Sequence, residues 1–148
     1  MKKWFILVVA ILGISASANA QSFGVKLIGV QYNTFDPGRG SGLQVALSTL
    51  FVSFDLEVNY IIGREILSDD KKFSFFYGAG AHAGFLGFFS FGTFGVGAHG
   101  IVGLEYLIQP STSIGVSLHP GISVYFGNII GPFVSPYFGG GLFVNFRI

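Results

Sequence analysis

The stretch Gly95 to Ile108, GVGAHGIVGLEYLI, alternates with a period of two, and that pattern admits few folds. Successive side chains of a strand point to opposite faces. One face carries Val96, Ala98, Gly100, Val102, Leu104, Tyr106 and Ile108; the other carries Gly95, Gly97, His99, Ile101, Gly103, Glu105 and Leu107. The first face is apolar throughout. The second sets an imidazole and a carboxylate among glycines. At fourteen residues the stretch exceeds the roughly 9–11 that a tilted strand needs to cross a bilayer. It reads as one stave of a membrane-spanning β-barrel, with one side toward lipid and one toward a polar interior.

Composition agrees. Hydrophobic residues make up 51% of the chain and charged residues 10%, against about 25% charged in an average soluble domain. No apolar run reaches the roughly 18 residues of a transmembrane helix. A greasy chain without a helical span points to strands, because only helices and closed barrels satisfy their backbone in lipid. The absence of cysteine excludes disulfides, zinc–thiolate sites and cysteine nucleophiles.

Residues 1–20 read as a signal peptide. Lys2 and Lys3 form a basic start, Trp4 to Ile14 an apolar core, and Ala18-Asn19-Ala20 a small-residue cleavage site. The expected mature domain is 21–148. Removing Lys2 and Lys3 from the 8 basic residues leaves 6 against 7 acidic ones, a net charge of −1. That balance argues against a nucleic-acid-binding surface.

The expected fold class is all-β: an antiparallel up-and-down transmembrane β-barrel of eight strands behind a cleaved signal peptide. Seven strands are well marked. They run over Ser22–Asn33, Leu43–Phe51, from Val52 to about Ile62, Phe73–Leu86, Gly95–Ile108, Ser113–Phe126 and Pro136–Ile148. Asp36–Gly42, Leu67–Lys72 and Gln109–Thr112 read as turns. The apolar face changes parity near Ser48–Ser53, which requires a turn or bulge there. Single-chain bacterial barrels have an even strand number, so an eighth strand is expected within 42–66. Pro120 falls mid-strand and predicts a bulge beside it.

By phase, Lys26, Asp55, Glu57, His82, His99, Glu105, His119 and Arg147 face inward and are expected to form a lumen network of hydrogen bonds and paired charges. Other chemistries are possible for the same residues. Three histidines on successive strands could hold a metal if they met at one level. Ser117 and His119 with Glu105 could form a nucleophile and base for a lipid substrate, although they point away from lipid. An open lumen would conduct, but an eight-stranded interior is just wide enough for side chains to fill. The leading expectation has no catalytic residue, no cofactor and no metal. Gly78/Gly80 and Gly95/Gly97 are not nucleotide loops, since no helical period follows them. Tyr60, Tyr77, Phe85, Tyr106, Phe126, Phe138 and Phe146 lie at or near strand ends on the apolar face, as interfacial girdles require.

The runs Tyr77–Phe85 (YGAGAHAGF), Gly100–Tyr106 (GIVGLEY), Pro110 and Leu118-His119-Pro120 resemble the small outer-membrane β-barrel proteins of Gram-negative bacteria, in particular a set found in Bacteroidetes. The chain departs from that set at His99 (often Asp), His119 (often Lys) and the final Ile148 (usually aromatic). The last strand, with Gly141, Val144, Phe146 and Ile148, resembles the C-terminal signal that such barrels present to the insertion machinery. The resemblance implies an integral outer-membrane protein and no particular activity. Its expected partners are the lipid bilayer and the barrel-insertion machinery, with no nucleic acid, and the chain is expected to be monomeric.

Overall fold

A computed structural model describes residues 22–26, 29–50, 53–88, 91–127 and 132–148. The expected signal peptide and its cleavage site lie outside the described residues. Eight strands follow in order: β1 (Ser22–Lys26), β2 (Gly29–Asn33), β3 (Gly42–Leu50), β4 (Ser53–Ile66), β5 (Phe73–Phe88), β6 (Phe91–Gln109), β7 (Thr112–Gly127) and β8 (Phe133–Arg147). Each pairs antiparallel with its neighbours, and β8 pairs with β1, so the sheet closes into a barrel. No helix occurs among the described residues.

The stagger of the closure can be read from the pairing. A walk from Arg147 passes Ser22, Asn33, Gln44, Asn59, Gly80, His99 and Gly121 and returns to β8 at Tyr137. It returns ten residues from where it began, 147 against 137. With ordinary strand spacings, eight strands and that stagger give a tilt of about 40° and a ring about 16 Å across. Such a ring has room for side chains and little else.

The strand content of 22–66 corrects the expectation. Ser22–Asn33 is two strands, β1 and β2, with Lys26 paired to Gly29. In a hairpin whose paired residues are three apart, both sit on the same face, so parity inverts across the turn. Val25 and Val30 accordingly both face outward and are exposed, while Lys26 and Gln31 are buried. The eighth strand is therefore here, not within 42–66, where β3 and β4 account for the two strands already marked. The parity change near Ser48–Ser53 has the same origin, since Leu50 pairs with Ser53, three residues on.

Pro120 produces no bulge. The β6–β7 register is the same on both sides of it, from His99↔Gly121 to Val102↔Leu118; the proline leaves only an unbridged step in the ladder. The irregularities fall elsewhere, at Ile61/Gly63 in β4 and Leu107/Gln109 in β6. β5 and β6 run on to Phe88 and Phe91, past the marked strand ends at Leu86 and Gly95.

Side chains are distributed inside out. The buried set is dominated by polar and charged groups, among them Lys26, Gln31, Asn33, Glu57, Asn59, Glu105 and Asn145. The outward set is apolar: Val96, Val102, Leu104 and Tyr106 on β6, Ile114, Val116, Leu118 and Ile122 on β7, and Phe138, at 83% exposure, on β8. A water-soluble sandwich or barrel orders these groups the other way.

One end of the barrel carries the described ends of β1 and β8 and the turns 34–41, 67–72 and 110–111; it is called the terminal end, and the other the far end. In the turn after β4, Ser68 Oγ accepts from the backbone N–H groups of Lys72 (3.2 Å) and Phe73 (3.0 Å) and donates to Asp70 Oδ1 (2.6 Å). The Ser68 hydroxyl first, and the Lys72 N–H second, hold the Asp70 carboxyl below its ordinary range.

Candidate functional site

The interior is built in layers. Moving from the terminal end, β4 presents Arg64, then Ile61, then Asn59 and Glu57; β5 presents Ser74, Phe76 and His82; β6 presents Glu105, Ile101 and His99; β8 presents Asn145, Phe143 and Tyr137. On each of these strands an apolar side chain separates polar ones, and β6 adds the buried Leu107 on the terminal side of Glu105. The apolar layer, Phe35, Ile61, Phe76, Ile101 and Phe143, is the buried hydrophobic cluster. Phe35 enters it from the β2–β3 loop. The Phe76 and Phe143 rings meet edge to face at 6.0 Å.

Below the plug, Arg64 Nη1 donates to Glu105 Oε2 (2.6 Å) and Ser74 Oγ (2.8 Å). Glu105 Oε1 accepts from the Ser113 hydroxyl and from Asn145 Nδ2 (3.1 Å). The guanidinium lies over the Phe76 ring, 5.0 Å from its centre, an added cation–π attraction. Both partners are buried, so the pair contributes only because its remaining donors and acceptors are also satisfied.

A second chain of bonds follows the wall. Ser22 Oγ donates to the Phe35 carbonyl (2.9 Å), Asn33 Nδ2 to Ser22 Oγ (3.0 Å), Gln44 Nε2 to Asn33 Oδ1 (2.9 Å) and Asn59 Nδ2 to Gln44 Oε1 (3.1 Å). It continues through His99 Nε2 on Asn59 Oδ1 (2.8 Å), His82 Nδ1 on His99 Nδ1 (3.1 Å) and Ser123 Oγ on His82 Nε2 (2.6 Å). Ser22, Asn33, Gln44, Asn59 and His99 follow one register line round the barrel, and His82 and Ser123 lie on the next, either side of Gly97, which is why they meet. The network assigns the neutral tautomers. With the Asn59 oxygen turned to it, His99 carries its hydrogen on Nε2, His82 on Nδ1, and Ser123 donates. Two glycines make the chain possible. A Cβ at Gly80 would sit 2.8 Å from His99 Nε2 and also strike the Asn59 amide oxygen; a Cβ at Gly97 would sit 2.6 Å from His82 Cε1.

Above the plug lies the most charged group. Glu57 Oε2 accepts from Lys26 Nζ (3.3 Å) and Asn59 Nδ2 (3.3 Å) and lies 3.1 Å from His119 Nδ1. Tyr137 OH reaches Asp55 Oδ2 (2.6 Å) and Glu57 Oε1 (2.9 Å), and its ring stacks on His82 at 3.6 Å. A cavity of about 200 Å³ opens toward the far end, lined by Asp55, His82, Tyr125 and Tyr137 among others.

The inward set read from phase therefore sorts into places. Lys26, Asp55, Glu57, His82, His99 and His119 gather above the plug, and Glu105 lies below it. Arg147 is a correction. It has the inward parity but sits at the last position of β8, where the wall ends; its side chain is 53% exposed and pairs with Asp36 at 3.1 Å. The buried partner of Glu105 is Arg64, which alternation alone turns outward. The irregularity between Ile61 and Gly63 inverts the parity of β4, bringing both Ile61 and Arg64 inside. The trio Ser117, His119 and Glu105 is not brought together. Glu105 belongs to the terminal layer, His119 faces Glu57, and no hydrogen bond joins Ser117 to His119 among the described residues. Of the expected C-terminal signal, Val144 pairs with Val25 and Phe146 with Phe23 at the closing seam, Gly141 has a left-handed φ of 134°, and Ile148 follows the strand. Compared with protein-family models, curated proteins and solved structures, the chain finds no match.

Proposed function

We propose that the chain is an integral outer-membrane β-barrel protein, exported through a cleaved signal peptide, with a structural or surface-interaction role and a closed lumen. One observation carries this reading: a closed sheet whose inside is polar and whose outside is apolar. Left in water, an apolar belt of this extent is an aggregation liability; in lipid it is the required surface. Each outward Val, Leu, Ile or Phe fully transferred from water gains about 1.5–3 kcal/mol, which supports a lipid environment. Ring closure pairs the strands on both sides, as lipid demands, except along β8, which meets β1 only from Phe143 to Arg147.

The lumen favours a plug over a pore. The five-residue apolar cluster between the two charged layers supports this. The trio that the enzyme reading names is not assembled among the described residues, and the serine–histidine pair that is present, Ser123 on His82 Nε2, has its serine fully buried in the lumen. The reading is tested by fractionation and gel migration. The protein is expected to remain in the membrane pellet through a carbonate wash and to migrate differently before and after boiling. Release into the carbonate supernatant, with migration unaffected by boiling, contradicts it.

A further inference from the structure

We infer that Glu57, His99 and His119 form a binding site for one divalent transition-metal ion of borderline softness, Zn²⁺ being the type, inside the far half of the lumen. The inference rests on the lumen geometry and goes beyond the structural role proposed above.

Three observations converge. First, each of the three residues offers a ligand atom, and these atoms lie within 4.8 Å of one another. A carboxylate with two imidazoles is a zinc donor set that leaves a position for water or a further ligand. Second, His119 is 1% exposed, and neither ring nitrogen has a hydrogen-bond partner. Its Nδ1 stands 3.1 Å from Glu57 Oε2, close enough for an ion pair but outside hydrogen-bond geometry. Buried imidazoles are normally satisfied, and one without a partner is poised to coordinate. Its ring lies parallel to that of His99, with 5.2 Å between centres. Third, the charges do not balance with neutral histidines. Below the plug Arg64 answers Glu105 one to one. Above it Asp55 and Glu57 face a single lysine, Lys26. That excess of one negative charge beside Glu57 favours a cation over a neutral ligand.

The far-end cavity is lined by Asp55, His82 and Tyr137 and by none of the three ligands; it adjoins them through Tyr137, whose hydroxyl touches Glu57 at 2.9 Å. Two features oppose binding. Lys26 Nζ sits 3.3 Å from the oxygen a metal would use. His99 must also release either His82 or Asn59. The lysine gives the inference a prediction of unusual sign, since removing it should strengthen binding.

The experiment uses untagged, chelator-treated full-length barrel in detergent, titrated with Co²⁺ and then displaced with Zn²⁺. One equivalent of Co²⁺ is expected to give visible absorption of the intensity typical of four-coordinate cobalt, and Zn²⁺ to abolish it. His119→Ala and Glu57→Gln should each weaken the Kd by about a hundred-fold, as loss of a ligand requires. Lys26→Met should tighten it by about ten-fold, because a like charge beside the ion is removed. Gel migration without boiling establishes that each variant is folded. If His119→Ala does not fold, the spectrum of the parent and the direction of the Lys26→Met shift decide. Absence of cobalt absorption in the folded parent overturns the inference. So does binding that survives His119→Ala, or a Lys26→Met barrel that binds no more tightly than the parent. A chain that never forms a heat-modifiable species contradicts the membrane-barrel reading instead.

Discussion

At the scale of single residues, the lumen depends on a few side chains that are costly to leave alone. Arg64 and Glu105 are the clearest case. Arg64→Met strands a buried carboxylate and is expected to cost about 3–5 kcal/mol, whereas the double variant Arg64→Met/Glu105→Gln should recover much of that loss. Urea titration followed by circular dichroism in detergent measures both. A double variant no more stable than Arg64→Met would show that the pair acts through something other than its charges. Gly80→Ala tests the amide–imidazole chain. The added methyl lies between Asn59 and His99, and breaking one such bond between buried groups should cost about 1–3 kcal/mol. The same substitution at the outward-facing Gly100, whose Cβ would meet nothing closer than 3.9 Å, should be near neutral. Asp70 gives a pH effect of known sign. Its carboxyl is lowered in the folded turn, so its contribution is present above the unfolded value and fades as pH falls through the folded one. Asp70→Asn should flatten that part of the acid limb by lowering stability at neutral pH, where the contribution is present, toward its acid value.

At the scale of elements, the long strands were legible and the short ones were not. β5 to β8 alternate over 15 to 19 residues each, long enough for parity to declare the two faces. β1 and β2 have five residues each, and a two-residue connection between them reads as continuous alternation unless the change of parity from Val25 to Val30 is noticed. The same arithmetic hid Arg64, since one extra residue in β4 reverses which side chains point inward. Parity also said nothing about height along the barrel. It placed Arg147 with the lumen when the strand ends there, and it could not say that His99 and His119 reach Glu57 while Glu105 does not. The short hairpin has a measurable consequence. β1 pairs with β8 only from Phe143 to Arg147, so Phe133–Leu142 is bonded on the β7 side alone among the described strands. Hydrogen exchange in detergent should find the β8 amides that point away from β7 in this segment less protected than those of β6, which is paired on both sides. Uniform protection along β8 would mean that this edge is covered.

At the scale of the whole molecule, the claim is an inverted one: the ring keeps its charges inside and offers its hydrocarbon outside. The plug between the two charged layers predicts no single-channel current in a planar bilayer; steady openings would contradict the filled lumen. The most direct measurement exploits the absence of cysteine from the chain, which leaves no background for single-cysteine labelling. Spin labels placed one at a time from Val96 to Leu107 on β6, in the bilayer-reconstituted protein, report access to oxygen dissolved in the lipid. Oxygen access should oscillate with a period of two, high at Val96, Ala98, Val102 and Leu104 and low at Gly97, His99, Gly103 and Glu105. A flat profile, or one with the opposite phase, would contradict the account.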